Sequence, residues 1–548
     1  MWHSVGLFSV TLRLGETPVV LPRAGSVPEG FVHVSGGVCC GVFQTSPTLL
    51  HLPQVTLAGF DLARFEVTNR EFKRFVDENG YRRQELWPSP MVIEGDAVPW
   101  EEAMRFLVDR TGRPGPSGWE AGSYPAGEDD YPVGGVSWYE AAAYAAFEGK
   151  QLPTVRHWYW AATPGAAASI LPHANLAGSR PRPVGTSGAM SGPGTFDMAG
   201  NVREWAFNEA EGTRYILGGG WDEPDYAFSL ALAEAPWDRS AINGIRLAAY
   251  PGPSEFQSAS APIPALVERD LSKEAVAPDD VFEVYRRAYA YDALPLNARV
   301  ESTDSTSSPD YVRQYISFDA AYGGERMAAV LWLPKQQAPP YQTVLHFTGL
   351  NAVLTPSSSS YNNVIIARLT RTGRAVAMPI LKGTYERGAG TLSGLANETA
   401  AYRDQAISWV QDGRRTLDYL ESREDIDTER IAYWGLSWGA TLGPLVVATE
   451  PRVRVAVFFI GGLSRRRVLP EVDPLHFAPR VRVPTLMVNG RLDHLFPYEP
   501  TQVPLFQLLG TPAEQKRHVT FETGHGYPDA PATRELFEWL DRYLGVVD

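Results

Sequence analysis

Apolar and polar positions along this 548-residue chain change rhythm about halfway. After residue 276, β-rich runs alternate with helical ones. The β-rich runs are "AAVLWLP", "TVLHF", "RAVAMPI", "RIAYWG", "VRVAVFFIGG", "PTLMVNG" and "HVTFE"; between them sit "YNNVIIARLTRTG", "AYRDQAISWVQDGRRTLDYLESR" and the stretch after Ser437. That alternation predicts a mainly parallel, doubly wound sheet wrapped by helices over residues 277–548. Residues 28–250 have another texture, with short apolar stretches, many Gly and Trp, and few long helical patterns. Two helices stand out there. "VTNREFKRFVDENG" offers Thr68 or Asn69 as a cap and Gly80 as a stop, and "VSWYEAAAYAAFEGK" has Ser137 and Glu140 in capping-box spacing with Gly149 as terminator. "PGPSEFQSASAPIPA" carries no apolar periodicity and opens a Pro-, Ser- and Ala-rich linker expected over residues 251–276. At the start, "SVTLRLGETPVVLPRAGSVPEG" alternates like strands but is too short to bury a core, so residues 1–27 are expected to be a β-rich remnant.

Composition narrows the function classes. The length calls for two or three domains rather than one core. A 44% hydrophobic share with 20% charged residues fits a folded, soluble chain. No apolar run approaches the roughly 20 residues that a membrane span needs. "MWHSVGLFSVTLRLG" lacks the basic start and small-residue cleavage site of a secretory signal, so a cytoplasmic location is expected. A net charge of −14 argues against nucleic acid as a partner, because that binding relies on basic faces. The two cysteines, Cys39 and Cys40, are adjacent, an awkward geometry for a mutual bond; no disulfide framework is expected, and a reducing compartment is mildly favoured.

Candidate chemistry sits late in the chain. "WGLSWGATLGPL" holds Ser437 in G-x-S-x-G spacing directly after the β-rich "RIAYW". Gly and Ser are common, so the setting has to decide. A serine on a tight strand-to-helix turn needs flanking glycines, here Gly435 and Gly439, because a Cβ would collide with the neighbouring strand or helix. A hydroxyl is a poor nucleophile until a base takes its proton, and an acid must orient that base. "TLMVNGRLDHLFP" supplies Asp493 just past a β-rich run, and "HVTFETGHGYP" supplies His525 before the last helical stretch, "ATRELFEWLDRYL".

With serine, acid and histidine in that order and context, about residues 277 to 546 resemble the α/β-hydrolase superfamily, nearest to its dienelactone-hydrolase and acetyl-xylan-esterase branches. The resemblance implies a triad of Ser437, Asp493 and His525. It also implies an oxyanion hole formed by the backbone N–H of Trp438 and one from the loop "TGLNA", for which Leu350 is the candidate and Asn351 the close alternative. His494 is a weaker candidate for the base, being next to Asp493 in sequence. His346 is expected to shape the loop after its strand, and Pro444 to kink the helix that follows the serine.

From about residue 28 to 250, five blocks occur in family order: "FEVTNREFKRFV", "YPVGGVSWYEAAAYAAFEGKQLPTVRHWYWAA", "GTFDMAGNVREW", "YILGGGWD" and "GIRLA". On these the first half resembles the formylglycine-generating, sulfatase-modifying enzymes, whose α+β fold is C-type-lectin-like. The activity of that family rests on two thiolates after an R-G-G-S-W-like motif that bind Cu(I). In "LGGGWDEPDYAF" those positions hold Glu223 and Phe228, so the resemblance implies an inactive domain. Iron enzymes of the ergothioneine pathway share the fold, but no helical H-x-x-x-E-x-x-x-H pattern occurs here, and His157 reads as a packing residue. The family's structural calcium would fall on "DMAGNVRE", with carboxylates from Asp197 and Glu204 and backbone oxygens from Gly200 and Val202. An equal alternative has Glu204 paired with an arginine and Asp197 capping a turn. Related domains sometimes follow a protein kinase, but the chain carries no kinase signature.

The expectation is therefore a carboxylic ester hydrolase working through an acyl-enzyme without a catalytic cofactor, joined to an inactive sulfatase-modifying-like domain. Its substrate would be a small ester or an acylated macromolecule. The first domain would keep an acidic cleft, around Asp222, Glu223 and Asp225, for a protein or carbohydrate ligand. A peptidase of the prolyl-oligopeptidase type is a rival, although no propeller repeat of about 40 to 45 residues is visible. A non-catalytic binding or regulatory protein is the rival from another class.

Overall fold

The computed structural model describes residues 25–39, 49, 52–93, 95–264, 269–361, 363–388 and 395–547. The expected β-rich remnant at 1–27 lies almost wholly outside the described residues. Those described form two compact units, one ending at residue 264 and one beginning at 269.

In the first unit, local sequence signals start two helices. Thr68 caps helix Asn69–Asp77, and Ser137 caps helix Trp138–Phe147; in each, the residue three on, Glu71 or Glu140, returns a bond to the cap's backbone N–H. These reciprocal bonds satisfy backbone donors that a helix start leaves open. Glu140 is buried and does more than cap: it also pairs with Arg239 at 2.9 Å and accepts from the Tyr81 hydroxyl at 2.5 Å. A four-stranded sheet, in the order Asn243–Gly244, Arg203–Ala210, Thr213–Leu217, Leu232–Glu234, packs against these helices and against helix Val155–Ala162. Phe31–Val34, Phe60–Ala63 and Ala248–Ala249 make a second, three-stranded sheet.

Two expectations need correction. Much of the segment 251–276 is built into the units rather than a free spacer. Residues Pro253–Ala259 form a helix whose Phe256 ring sits 4.7 Å from Phe207, and Asn208 donates to the carbonyls of Ala259 and Ala261, both at 2.8 Å. On the far side, Leu271 joins the core of the second unit, and Arg269 pairs with Glu274 at 2.6 Å and with Asp473. Composition misled here because a single ring and a few backbone acceptors suffice to tie down a Pro-rich segment. The second correction concerns Cys39, which is disulfide-bonded rather than a free thiol.

In the second unit, nine strands form one sheet. They are β1 (Arg299–Asp304), β2 (Tyr311–Asp319), β3 (Arg326–Pro334), β4 (Tyr341–Phe347), β5 (Ala375–Ile380), β6 (Ile426–Leu436), β7 (Val453–Phe459), β8 (Thr485–Gly490) and β9 (Lys516–Phe521). Their order is β1-β2-β3-β5-β4-β6-β7-β8-β9. The pairings from β5 onward are parallel, and those joining β1, β2, β3 and β5 are antiparallel. The sheet is thus mixed, with a three-strand antiparallel edge. Two strands of that edge, β1 and β2, are absent from the apolar runs because β1 is exposed along almost its whole length and β2 is only half-buried over its first five residues. Helices α1 (Val364–Arg371), α2 (Ala400–Glu421), α3 (Trp438–Thr449) and α4 (Asp529–Leu544) cover the faces. Two apolar clusters result, with α2 and α3 in one and α1 and α4 in the other, as a sheet with crossover connections requires. Helix α3 runs on through Pro444 for its 12 residues. Among the described residues no helix is long and apolar enough to cross a membrane.

Candidate active site

The parallel strands all point the same way, so the loops after β4, β6, β7, β8 and β9 gather at one end of the sheet. Ser437 stands there between β6 and α3, with φ 55° and ψ −110°. A side chain at such angles costs about 1–3 kcal/mol and is held by its surroundings. Three bonds supply the hold: Ser437 N–H donates to Phe459 O at 2.8 Å, Thr441 N–H to Ser437 O at 3.0 Å, and Gly439 N–H to Thr348 O at 3.1 Å. The two glycines are required sterically. A Cβ on Gly435 would lie 2.5 Å from Gly439 O, and one on Gly439 would lie 2.2 Å from Phe347 O.

Ser437 Oγ lies 2.9 Å from His525 Nε2, and His525 Nδ1 lies 2.7 Å from Asp493 Oδ2. A carboxylate only accepts, so Nδ1 carries the proton and Nε2 is left to accept from the serine hydroxyl. The side chains of His525 and Asp493 are 3% and 0% exposed, which shields the relay from competing water. Asp493 is held by its other oxygen, Oδ1, which accepts from the N–H groups of Leu495 at 2.8 Å and Phe496 at 3.1 Å. The loops carrying acid and base are stitched together by Arg491 N–H to Phe521 O at 2.8 Å and Leu492 N–H to Thr523 O at 3.0 Å.

Two backbone donors border the serine. Trp438 is the first residue of α3, and Leu350 opens the short 3-10 helix Leu350–Val353, so neither N–H has an acceptor inside its helix. The loop holding Leu350 comes close: the Cβ position of Gly349 is 3.6 Å from Ser437 Cβ. Asn351, the alternative, is one residue further along and exposed, its carbonyl accepting from Leu354 N–H at 3.0 Å.

The remaining histidines take other roles. His494 is buried, and that burial lowers its pKa to about 4; its ring centroid is 6.4 Å from that of His525. His346 is fully buried, and burial lowers its pKa to about 4 as well. Its Nδ1 donates to Trp434 O at 3.0 Å, and its Nε2 accepts from the Tyr361 hydroxyl at 2.6 Å. Two aromatic supports escaped the sequence reading. Tyr433 donates its hydroxyl to Gly439 O at 2.6 Å, and Trp409 packs edge-on against the Trp438 ring at 4.6 Å. Nothing in the apolar pattern separates either from an ordinary core aromatic.

In the first unit the two carboxylates expected around calcium, Glu204 and Asp197, have protein partners. Both oxygens of Glu204 accept from Arg246, at 2.6–2.9 Å, and the Trp158 indole adds 2.6 Å to one of them. Both members of that pair are fully buried, a setting in which removing one partner typically costs about 3–5 kcal/mol. Asp197, in a left-handed conformation, accepts from Gly185 N–H at 2.5 Å and from the Ser187 hydroxyl. The N–H of Val202 is taken by Glu66, and Gly200 N–H by Gly218 O. Among the described residues no group of three or more His, Cys, Asp or Glu side chains is placed to hold a metal. Of the alternatives, the arginine pair is the one the structure contains. Glu66 was not foreseen. Its pKa is pushed well up, chiefly by burial and then by Asp197 and Glu204 nearby.

The positions of the missing thiolates are also filled. Glu223 pairs with Arg203 through two bonds, at 2.5 and 2.7 Å, and Phe228 is buried against Trp158 at 6.3 Å. Of the three acidic residues expected around the cleft, Glu223 is thus neutralised by an arginine.

The pattern of the sulfatase-modifying factor enzyme 1-like domain family matches residues 19–250. The inactive C-alpha-formylglycine-generating enzyme 2 of Bos taurus is 30% identical over 205 residues, covering 31% of this chain and 67% of that protein. The chain belongs to this family. A formylglycine-generating enzyme of Thermomonospora curvata is 31% identical over 183 residues, covering 28% of this chain and 60% of its own length. Family membership therefore describes the first unit. Over the C-terminal part, solved structures with a similar course include acetyl xylan esterase 1 from Thermoanaerobacterium sp., at 17% identity and a TM-score of 0.40, covering 49% of this chain and 96% of that one.

Proposed function

We propose that the second unit is a serine hydrolase of the α/β-hydrolase fold that cleaves carboxylic esters through an acyl-enzyme on Ser437. The observation that carries this reading is the aligned relay from Ser437 Oγ to His525 to Asp493, set beside two backbone donors at helix starts. His525 Nε2 would take the serine proton as Oγ attacks the carbonyl carbon, and would return it to the departing alcohol. Asp493 holds the imidazole in the required tautomer and stabilises the imidazolium. The N–H groups of Trp438 and Leu350 would hold the oxyanion of the tetrahedral intermediate. Water then repeats the sequence and frees the acid. None of these steps needs a metal or cofactor. A fluorophosphonate label, followed by esters of graded acyl length, tests the nucleophile and the acyl preference together.

Leu350→Pro tests the oxyanion assignment, because it deletes one N–H at a helix start where the fixed φ of proline is tolerated. The expected result is a fall in kcat of about 10²–10³-fold with KM little changed and labelling retained. Undiminished kcat would transfer the role to another donor.

For the first unit we propose that no formylglycine is made. Incubating the full chain with a cysteine-containing peptide, with and without added copper, is expected to leave the peptide mass unchanged, since Glu223 and Phe228 stand where thiolates would be needed. An aldehyde product in the mass spectrum would overturn this.

A further inference from the structure

We infer that the first unit carries a binding site for neutral oligosaccharide, in a cavity of about 980 Å³ that contains neither Arg203 nor Glu223. It lies among the hairpin Met91–Ile93 and Asp96–Val98, the start of helix Trp138–Phe147, and the turn joining strands Arg203–Ala210 and Thr213–Leu217. One wall is a row of rings. Trp237 lies 4.7 Å from Tyr139 and 6.1 Å from Phe106, and Phe106 is 52% exposed. The polar atoms of this wall are engaged at its back: the Trp237 indole donates to Val92 O at 2.6 Å, and the Tyr139 hydroxyl accepts from Val92 N–H at 3.0 Å, keeping its own proton to donate. Flat apolar faces remain.

Another part of the lining is polar. Arg214 stacks 3.8 Å over Trp138 and sits 3.4 Å from Glu209, with exposed Glu211 beside them at the turn. A guanidinium has five N–H donors, and Glu209 and the Phe207 carbonyl do not exhaust them. The cavity thus offers ring faces together with a donor flanked by two acceptors. A sugar ring has the matching pair of surfaces, an apolar C–H face and a rim of hydroxyls that both donate and accept. Glu209 and Glu211 balance Arg214 and Arg239, and Arg239 is committed to Glu140 at 2.9 Å, so no surplus positive charge is left for an anionic ligand. The volume lies at the upper end of the roughly 300–1,000 Å³ of small-molecule pockets, enough for a short oligosaccharide. This inference stands apart from the hydrolase reading.

The test is native affinity electrophoresis of the full chain in gels holding arabinoxylan, glucomannan, mixed-linkage β-glucan or, as the anionic counterpart, polygalacturonate. Retardation by at least one neutral polymer is expected. Phe106→Ala and Trp237→Ala should each raise the Kd at least tenfold, and Glu211→Gln should raise it several-fold, with the far-UV spectrum and melting temperature of the Phe106 and Glu211 variants unchanged. Phe106 is exposed, so its variant keeps the test valid if Trp237→Ala unfolds. No retardation by any neutral polymer, stronger retardation by polygalacturonate, or a wild-type Kd for Phe106→Ala would overturn the inference.

Discussion

Ser437→Ala is expected to abolish fluorophosphonate labelling and to lower ester turnover on the order of 10⁶-fold, because the members of such a relay act as a unit. The loss should fall on kcat. The variant should fold as the parent does, since the elbow is held by backbone bonds from Ser437 and Gly439 and not by the serine hydroxyl. Turnover within tenfold of the parent would show that another group is the nucleophile, whatever the alignment of Ser437.

Asp493→Asn is expected to fold normally yet lose about 10⁴-fold in kcat. The geometry fixes how the amide would sit. Oδ1 accepts two backbone N–H groups, from Leu495 and Phe496, so the amide oxygen keeps that place and the NH₂ faces His525. Nδ1 must then accept, the ring proton moves to Nε2, and the serine hydroxyl loses its base. A drop in melting temperature matching the loss of activity would instead make Asp493 a structural residue.

The second unit was legible in the sequence to an unusual depth because its signals are local. Buried parallel strands leave near-continuous apolar runs, and the first glycine of G-x-S-x-G answers a steric demand between residues four apart, shown by the clash a Cβ on Gly435 would meet at Gly439 O. The supports at Trp409 and Tyr433 stayed hidden because their contacts depend on which strands and helices become neighbours. The same limit left the partners of two carboxylates in the first unit open. Glu204 could be placed within a family block, but its partner Arg246 lies 42 residues away and only the fold brings them together. Glu223 counted as negative charge in the sequence, and Arg203 removed that meaning through a contact spanning 20 residues.

By itself, then, the sequence determined the two-part organisation and the helix caps at Thr68 and Ser137, which follow from periodicity or from groups within a few residues of one another. It named Ser437, Asp493 and His525 as candidates through a family resemblance, and the fold brings them within hydrogen-bond distance. Only the tertiary structure decided that Glu204 is committed to an arginine, that the Pro-rich segment is pinned on both sides, and that Phe106, Trp237 and Arg214 wall one cavity. Those outcomes depend on which distant groups share a desolvated space. Charge and ring contacts become specific there, and linear spacing carries no record of it.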